Sequence, residues 1–190
     1  MANDSTLKND MLTRDLQVPI NARDHVQGPD TAPVTLVEYA DYECPYSRRA
    51  YPVIKELQRE LGDQLCFVYR NFPLREIHPH AQHAAEAAEA AAGQERFWQM
   101  HDFLFEHQHA LDDDHLHRYA VDLGLDAGRF GDDMSRHRYA EQIEDDLLGG
   151  VQSGVPGTPT FFLNGMRYEG NPDKESLLLK IRQAAAHSLP

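Results

Sequence analysis

Two short apolar runs, Val34-Thr35-Leu36-Val37-Glu38-Tyr39 and Leu65-Cys66-Phe67-Val68-Tyr69-Arg70, are separated by a single helical stretch. That spacing limits the fold more than any other feature of the chain. Both runs are rich in β-branched and aromatic residues, and the first is bounded by Pro33 and the turn-prone Asp41, which marks them as strands. Between them Pro52, Val53, Ile54, Leu57 and Leu61 recur at roughly helical spacing until Gly62 stops the pattern. Strand, helix and strand at this length predict a parallel pair joined by a right-handed crossover. The fold class is therefore α/β.

The remaining pattern adds a helical block and a hairpin. From about 76 to 153 the periodicity is helical throughout, with an alanine- and glutamate-rich run from Ala84 to Ala92 ending at Gly93. Phe97 to Phe105 carry an apolar face, the Asp112-Asp113-Asp114 run suits a helix start, and Tyr139, Ile143, Leu147 and Val151 recur every four residues. These stripes read as core faces. Thr160 to Leu163 and Met166 to Glu169 then flank Asn164-Gly165, a strong hairpin signal because a type I′ turn needs positive φ at both central residues. Asn171-Pro172 is placed to cap and start a last helix, with Leu177, Leu178 and Ile181 facing inward. At 190 residues the chain reads as one domain over 24–190 with the helical insertion inside it, preceded by a polar arm over 1–23 that is mobile or wraps an edge.

Chemistry is suggested by Cys44-Pro45-Tyr46-Ser47, which has the shape of a two-cysteine redox motif with a hydroxyl in the second place. Cys44 falls at the junction of the first strand and the helix. Unpaired N–H groups and the helix dipole favour an anion there, the setting in which a cysteine becomes a thiolate nucleophile. Cys66 reads as a buried core residue. It belongs near the start of the second strand, so at about 3.3 Å per residue some 15–20 Å of sheet separates it from Cys44. A disulfide needs Cα atoms about 4.4–6.8 Å apart, so Cys66 is not expected to resolve a Cys44 adduct.

The order of these elements resembles the DsbA-like family of thioredoxin-fold disulfide oxidoreductases. Three segments carry the resemblance: Val37 to Tyr46, then Tyr69-Arg70-Asn71-Phe72-Pro73-Leu74, then Gly154-Val155-Pro156-Gly157-Thr158-Pro159-Thr160-Phe161-Phe162-Leu163-Asn164-Gly165. It covers nearly everything from about His25 onward and implies a thioredoxin-like fold of βαβ, inserted helical block, β-hairpin and C-terminal helix. It further implies a cis peptide bond before Pro159 facing the Cys44 thiol, a buried carboxylate at Glu38 under the active site, and a substrate groove lined by Pro45, Tyr46 and Thr158. Ser47 departs from the family pattern, which has cysteine there. Its hydroxyl forms no disulfide, though it is expected to hydrogen-bond the Cys44 sulfur. The catalytic set is accordingly Cys44, Ser47, Pro159 and Glu38.

The expected function is thiol–disulfide oxidoreduction through Cys44 alone, on a disulfide-containing protein or glutathione, with the mixed disulfide resolved by an external thiol such as glutathione. One alternative is an ordinary dithiol oxidoreductase carrying an engineered Ser47, and another is a non-catalytic thioredoxin-fold module that binds extended peptides. No cofactor is expected. A net charge of −13, from 31 acidic against 18 basic residues, argues against a nucleic-acid or anionic-membrane partner. The grouping of His78, His80 and His83 mixes a proline-containing turn with helix positions, and no metal site is predicted from it. The opening residues lack the pattern of a secretory signal and no transmembrane run is evident, so a cytoplasmic location is expected, although a leader removed beforehand would leave the same sequence. Oligomeric state is left open.

Overall fold

The computed structural model describes residues 15–187. In chain order these form β1 (His25–Gln27), β2 (Val34–Ala40), α1 (Pro45–Leu61), β3 (Leu65–Asn71), α2 (Ala81–Ala92), α3 (Phe97–Glu106), α4 (Asp113–Asp122), α5 (Ala127–Ser135), α6 (Ala140–Gln152), β4 (Thr160–Leu163), β5 (Met166–Arg167) and α7 (Lys174–His187). The sheet runs β1-β3-β2-β4-β5. β2 and β3 pair in parallel, with Glu38 opposite Tyr69, and every other pairing is antiparallel. The result is the α/β, thioredoxin-like arrangement expected from the sequence. β1 has no counterpart in the sequence reading, because three residues are too few to show a period.

Alternation along the central strands explains the two layers. Val34, Leu36 and Ala40 of β2 join Leu65, Phe67 and Tyr69 of β3 in one core with Ile54 and Leu57 of α1, Leu177 and Ile181 of α7, and the alanine face of α2. Val37 and Tyr39 turn the other way with Cys66, Val68 and Phe162. α6 covers this second face, and Gly149-Gly150 let it come close: a Cβ on Gly150 would stand 2.6 Å from the Phe72 ring and 3.1 Å from that of Tyr39.

Residues 15–23 cross the same face. Asp15 bridges to Met166, Leu16 packs on the Val37 cluster, and the carbonyls of Val18 and Pro19 accept hydrogen bonds from Arg70. Arg70 is buried, and all five of its N–H donors are used, the others going to Tyr39 Oη and to both carboxylate oxygens of Asp24 at 2.7 and 2.9 Å. The first fourteen residues of the expected arm lie outside the described part.

Several boundaries differ from the sequence reading. α7 is capped by Asp173, whose carboxylate accepts from the Ser176 N–H at 2.9 Å, and not by Asn171. Asn171 instead accepts the Tyr168 hydroxyl through its carbonyl. β5 stops at Arg167, two residues short of Glu169. Asn164 and Gly165 do take positive φ at the hairpin, 47° and 85°. In α6 the four-residue stripe is a core face at Ile143 but not at Val151, which is exposed.

Candidate active site

Cys44 is the N-cap of α1 with extended backbone, and Pro45 occupies the first helical turn, where no N–H is missed. Its amide donates to Asp41 O at 3.1 Å and its carbonyl accepts from Arg48 N at 3.0 Å, so a tight turn and the first helical bond fix it from both sides. The thiol is 3% exposed. Its sulfur donates to the Thr158 carbonyl at 3.2 Å, and the Thr158–Pro159 bond is cis. Two segments more than a hundred residues apart thus meet at one sulfur. Pro45 and Tyr46 lie exposed beside it, and the Arg49 guanidinium stands 5.5 Å from the Tyr46 ring centre. Thr158 Oγ1 is buried without a hydrogen-bond partner.

Ser47 is completely buried, one turn into α1. Its described hydrogen bond is from the Asp41 N–H, a long one at 3.5 Å, so the expected bond to the Cys44 sulfur is replaced by one to the end of β2. The reason is geometric: the third residue of the helix faces inward, and a two-atom side chain there reaches the turn backbone.

Glu38 lies within β2, on the face shared with Leu36, Ala40, Tyr69 and Phe161. It is 2% exposed, its Oε1 has no hydrogen-bond partner, and burial pushes its carboxyl up to about 8. A proton is therefore held there at neutral pH. Burial likewise keeps the hydroxyls of Tyr42 and Tyr69 protonated. Cys66 pairs in register with Thr35 at the far end of the sheet and faces the opposite layer, and burial raises its thiol. Both cysteines are free.

Sequence reasoning missed the side chains that hold the Cys44 turn. The buried Asp41 carboxylate accepts from Glu43 N at 2.8 Å, Leu74 N at 2.9 Å and His78 Nδ1 at 2.7 Å. The Glu43 carboxylate accepts from the His80 backbone N–H at 2.6 Å and meets His80 Nδ1 at 3.0 Å. Gln108, between α3 and α4, spends both hydrogens of its amide on the carbonyls of Tyr42 and Cys44, at 2.7 and 2.9 Å. Beneath them Tyr42 Oη meets His101 Nδ1 at 3.1 Å, and burial keeps that imidazole neutral. The signal for Asp41 was present, a carboxylate directly after a strand. Nothing in the sequence joins Gln108 to a cysteine sixty-four positions earlier.

His78, His80 and His83 do not converge, since His83 pairs with a third carboxylate, Asp113. Among the described residues no group of three or more His, Cys, Asp or Glu side chains is placed to hold a metal ion.

A thioredoxin family model matches residues 21–182. The chain belongs to the thioredoxin family. Its fold is that of DsbA-like disulfide oxidoreductases. A thioredoxin-like oxidoreductase from Silicibacter pomeroyi is 26% identical with a TM-score of 0.77, over 87% of this chain and 94% of that one. Oxidised BdbD from Bacillus subtilis superposes with a TM-score of 0.76 at 23% identity, over 86% and 93%. Wolbachia pipientis α-DsbA1 does so at 0.75 and 22%, over 91% and 96%. Among curated proteins, Na(+)/H(+) antiporter NhaA 3 of Salinispora tropica is 48% identical over 90% of this chain, and the NhaA antiporter of Herminiimonas arsenicoxydans 44% over 85%. The chain spans only 26% of the length of either. No described helix is long and apolar enough to cross a membrane.

Proposed function

We propose that this thioredoxin-family chain is a thiol–disulfide oxidoreductase with Cys44 as its one redox-active sulfur, and that mixed disulfides on Cys44 are released by an external thiol such as glutathione. One observation carries the reading: the Cys44 sulfur, at the start of α1, lies 3.2 Å from the carbonyl that precedes cis-Pro159, while the residue one turn further on is a buried serine. An extended substrate pairing with the backbone at Thr158 would bring its disulfide to Cys44. The thiolate then attacks one sulfur of that disulfide and expels the other. Ser47 has no sulfur to offer and Cys66 is at the wrong end of the sheet, so the second attack must come from outside. Exposure to oxidised glutathione followed by intact-mass measurement tests this. One glutathione adduct is expected, lost in Cys44→Ser and removed by reduced glutathione. An adduct on Cys66 instead, or none, overturns the reading.

A second proposal follows from the curated relatives. Sequences 44–48% identical to nearly all of this chain form a quarter of proteins named as Na(+)/H(+) antiporters. We propose that the Cys44 module serves a membrane transporter of that kind, as the part that answers to disulfide chemistry. Antiport measured in vesicles with the module attached should differ between oxidised and reduced glutathione, and Cys44→Ser should abolish the difference. Equal rates in both redox states would remove this reading.

A further inference from the structure

Two unpaired cationic side chains stand beside Cys44 in a molecule of net negative charge. The chain has a net charge of −13, yet the first turn of α1 has no acidic residue, and Arg48 and Arg49 stand exposed on it. Neither makes an ion pair among the described residues. Arg48 donates its amide to Cys44 O at 3.0 Å, which sets it one helical turn from the cysteine, and helical side chains lean toward the N-terminus. Arg49 sits over Tyr46, at 5.5 Å from the ring centre. The carboxylates of the turn, Asp41 and Glu43, are engaged by His78 and His80. The facing segment Gly154-Val155-Pro156-Gly157-Thr158-Pro159 has no charged side chain.

Resting on the thiol exchange proposed above, we infer that Arg48 and Arg49 form a carboxylate-binding rim for a small anionic thiol, the one that releases Cys44 from its mixed disulfide. The size of the partner follows from the range of the forces. With a Debye length of about 8 Å at physiological salt, a small anion beside the helix feels mainly the two arginines. An acidic protein would approach against the whole negative molecule. In the exchange, the thiolate of the incoming molecule attacks the substrate-derived sulfur of the mixed disulfide. A new S–S bond forms between those two sulfurs, the bond to Cys44 breaks, and Cys44 leaves as a thiolate. The proton of the incoming thiol has gone to solvent, and one disulfide has replaced another with no net oxidation.

The test loads Cys44 as its neutral mixed disulfide with 2-mercaptoethanol and follows release by glutathione, by 2-mercaptoethanol and by the cationic thiol cysteamine. Rates are compared per thiolate. Two unit charges about 7 Å apart in a water-like dielectric change a rate about threefold, so two arginines give glutathione a lead over the neutral thiol of about five- to tenfold at low salt. Cysteamine should be slowest, and salt should compress the series. The double variant R48Q/R49Q should erase the order and R48E/R49E reverse it. Circular dichroism confirms the fold of both, and the salt series on the unaltered chain stands without any variant. Equal rates for the three thiols, a salt-independent order, or an order that survives charge reversal overturns the rim. Failure of Cys44 to take the mixed disulfide at all overturns the thiol-exchange reading and the rim with it.

Discussion

At the scale of single residues, position 47 decides what kind of chemistry the site can complete. Ser47 is fully buried in the first turns of the helix that Cys44 caps, and residues three apart on a helix have Cβ atoms about 5–6 Å apart, near enough for a short relaxation to bridge them. Ser47→Cys should therefore form an internal disulfide with Cys44 on oxidation, seen as the loss of two hydrogens in intact mass and as a 44–47 linked peptide. Insulin reduction should then rise at least about tenfold, because release no longer waits for an external thiol. A variant that oxidises but links Cys44 to Cys66 would contradict the placement of the second cysteine. The sequence made the attacking and missing sulfurs legible, since a cysteine at a strand-to-helix junction has a physical meaning of its own. It did not disclose which way Ser47 would turn, because the choice between Cys44 and the Asp41 amide depends on how the end of β2 sits over the helix.

Secondary-structure elements set how closely the site is framed. α6 lies on the layer that carries Tyr39 and Phe72, and Asp146 from this helix accepts the Asn71 N–H at the end of β3, where the chain departs toward the His78 loop. Its two glycines make that approach possible. Gly150→Ala would gain up to about 1 kcal/mol of helix propensity. Against this its Cβ would meet ring carbons of Phe72 at 2.6 Å, and overpacking of a buried contact costs about 1–3 kcal/mol. The expected net is a loss of about 1–2 kcal/mol, or a melting temperature lower by roughly 2–8 °C by calorimetry. Gly149→Ala, whose nearest neighbour is a Val18 methyl at 3.1 Å, should cost less. A Gly150→Ala chain as stable as the parent would mean that the helix stands off the sheet. The elements themselves were largely readable, because β2, β3, α2 and the hairpin each repeat one period or carry one turn signal. Their junctions were not. The clamp from Gln108 to Tyr42 and Cys44 joins an irregular connection to a turn, and neither has a period to read.

Over the whole molecule the buried carboxylates make stability depend on pH in a direction opposite to that of a salt-bridged acid. Glu38 rises from an ordinary 4.5 to about 8 and half-buried Asp146 from 3.8 to about 7, in both cases chiefly through burial. Each folded value lies above its unfolded one, so the folded state holds more protons than the unfolded state between them. Stability from these groups is complete below about pH 4 and is lost as pH rises through 7 and then 8. The growing negative charge of a chain already at −13 acts in the same sense. Carboxylates held below their usual range, such as Asp112 beside His115, act the other way only under acid conditions. The melting temperature should therefore peak on the acidic side of neutrality and decline toward pH 9. Glu38→Gln removes the larger of the two titrations. Each tenfold difference in proton affinity between the folded and unfolded chain is worth about 1.4 kcal/mol, so the substitution should stabilise the protein by a few kcal/mol at pH 9 and change it little at pH 5. If the two chains instead melt with the same pH profile, Glu38 is solvated and ionised at neutral pH and stores no proton there.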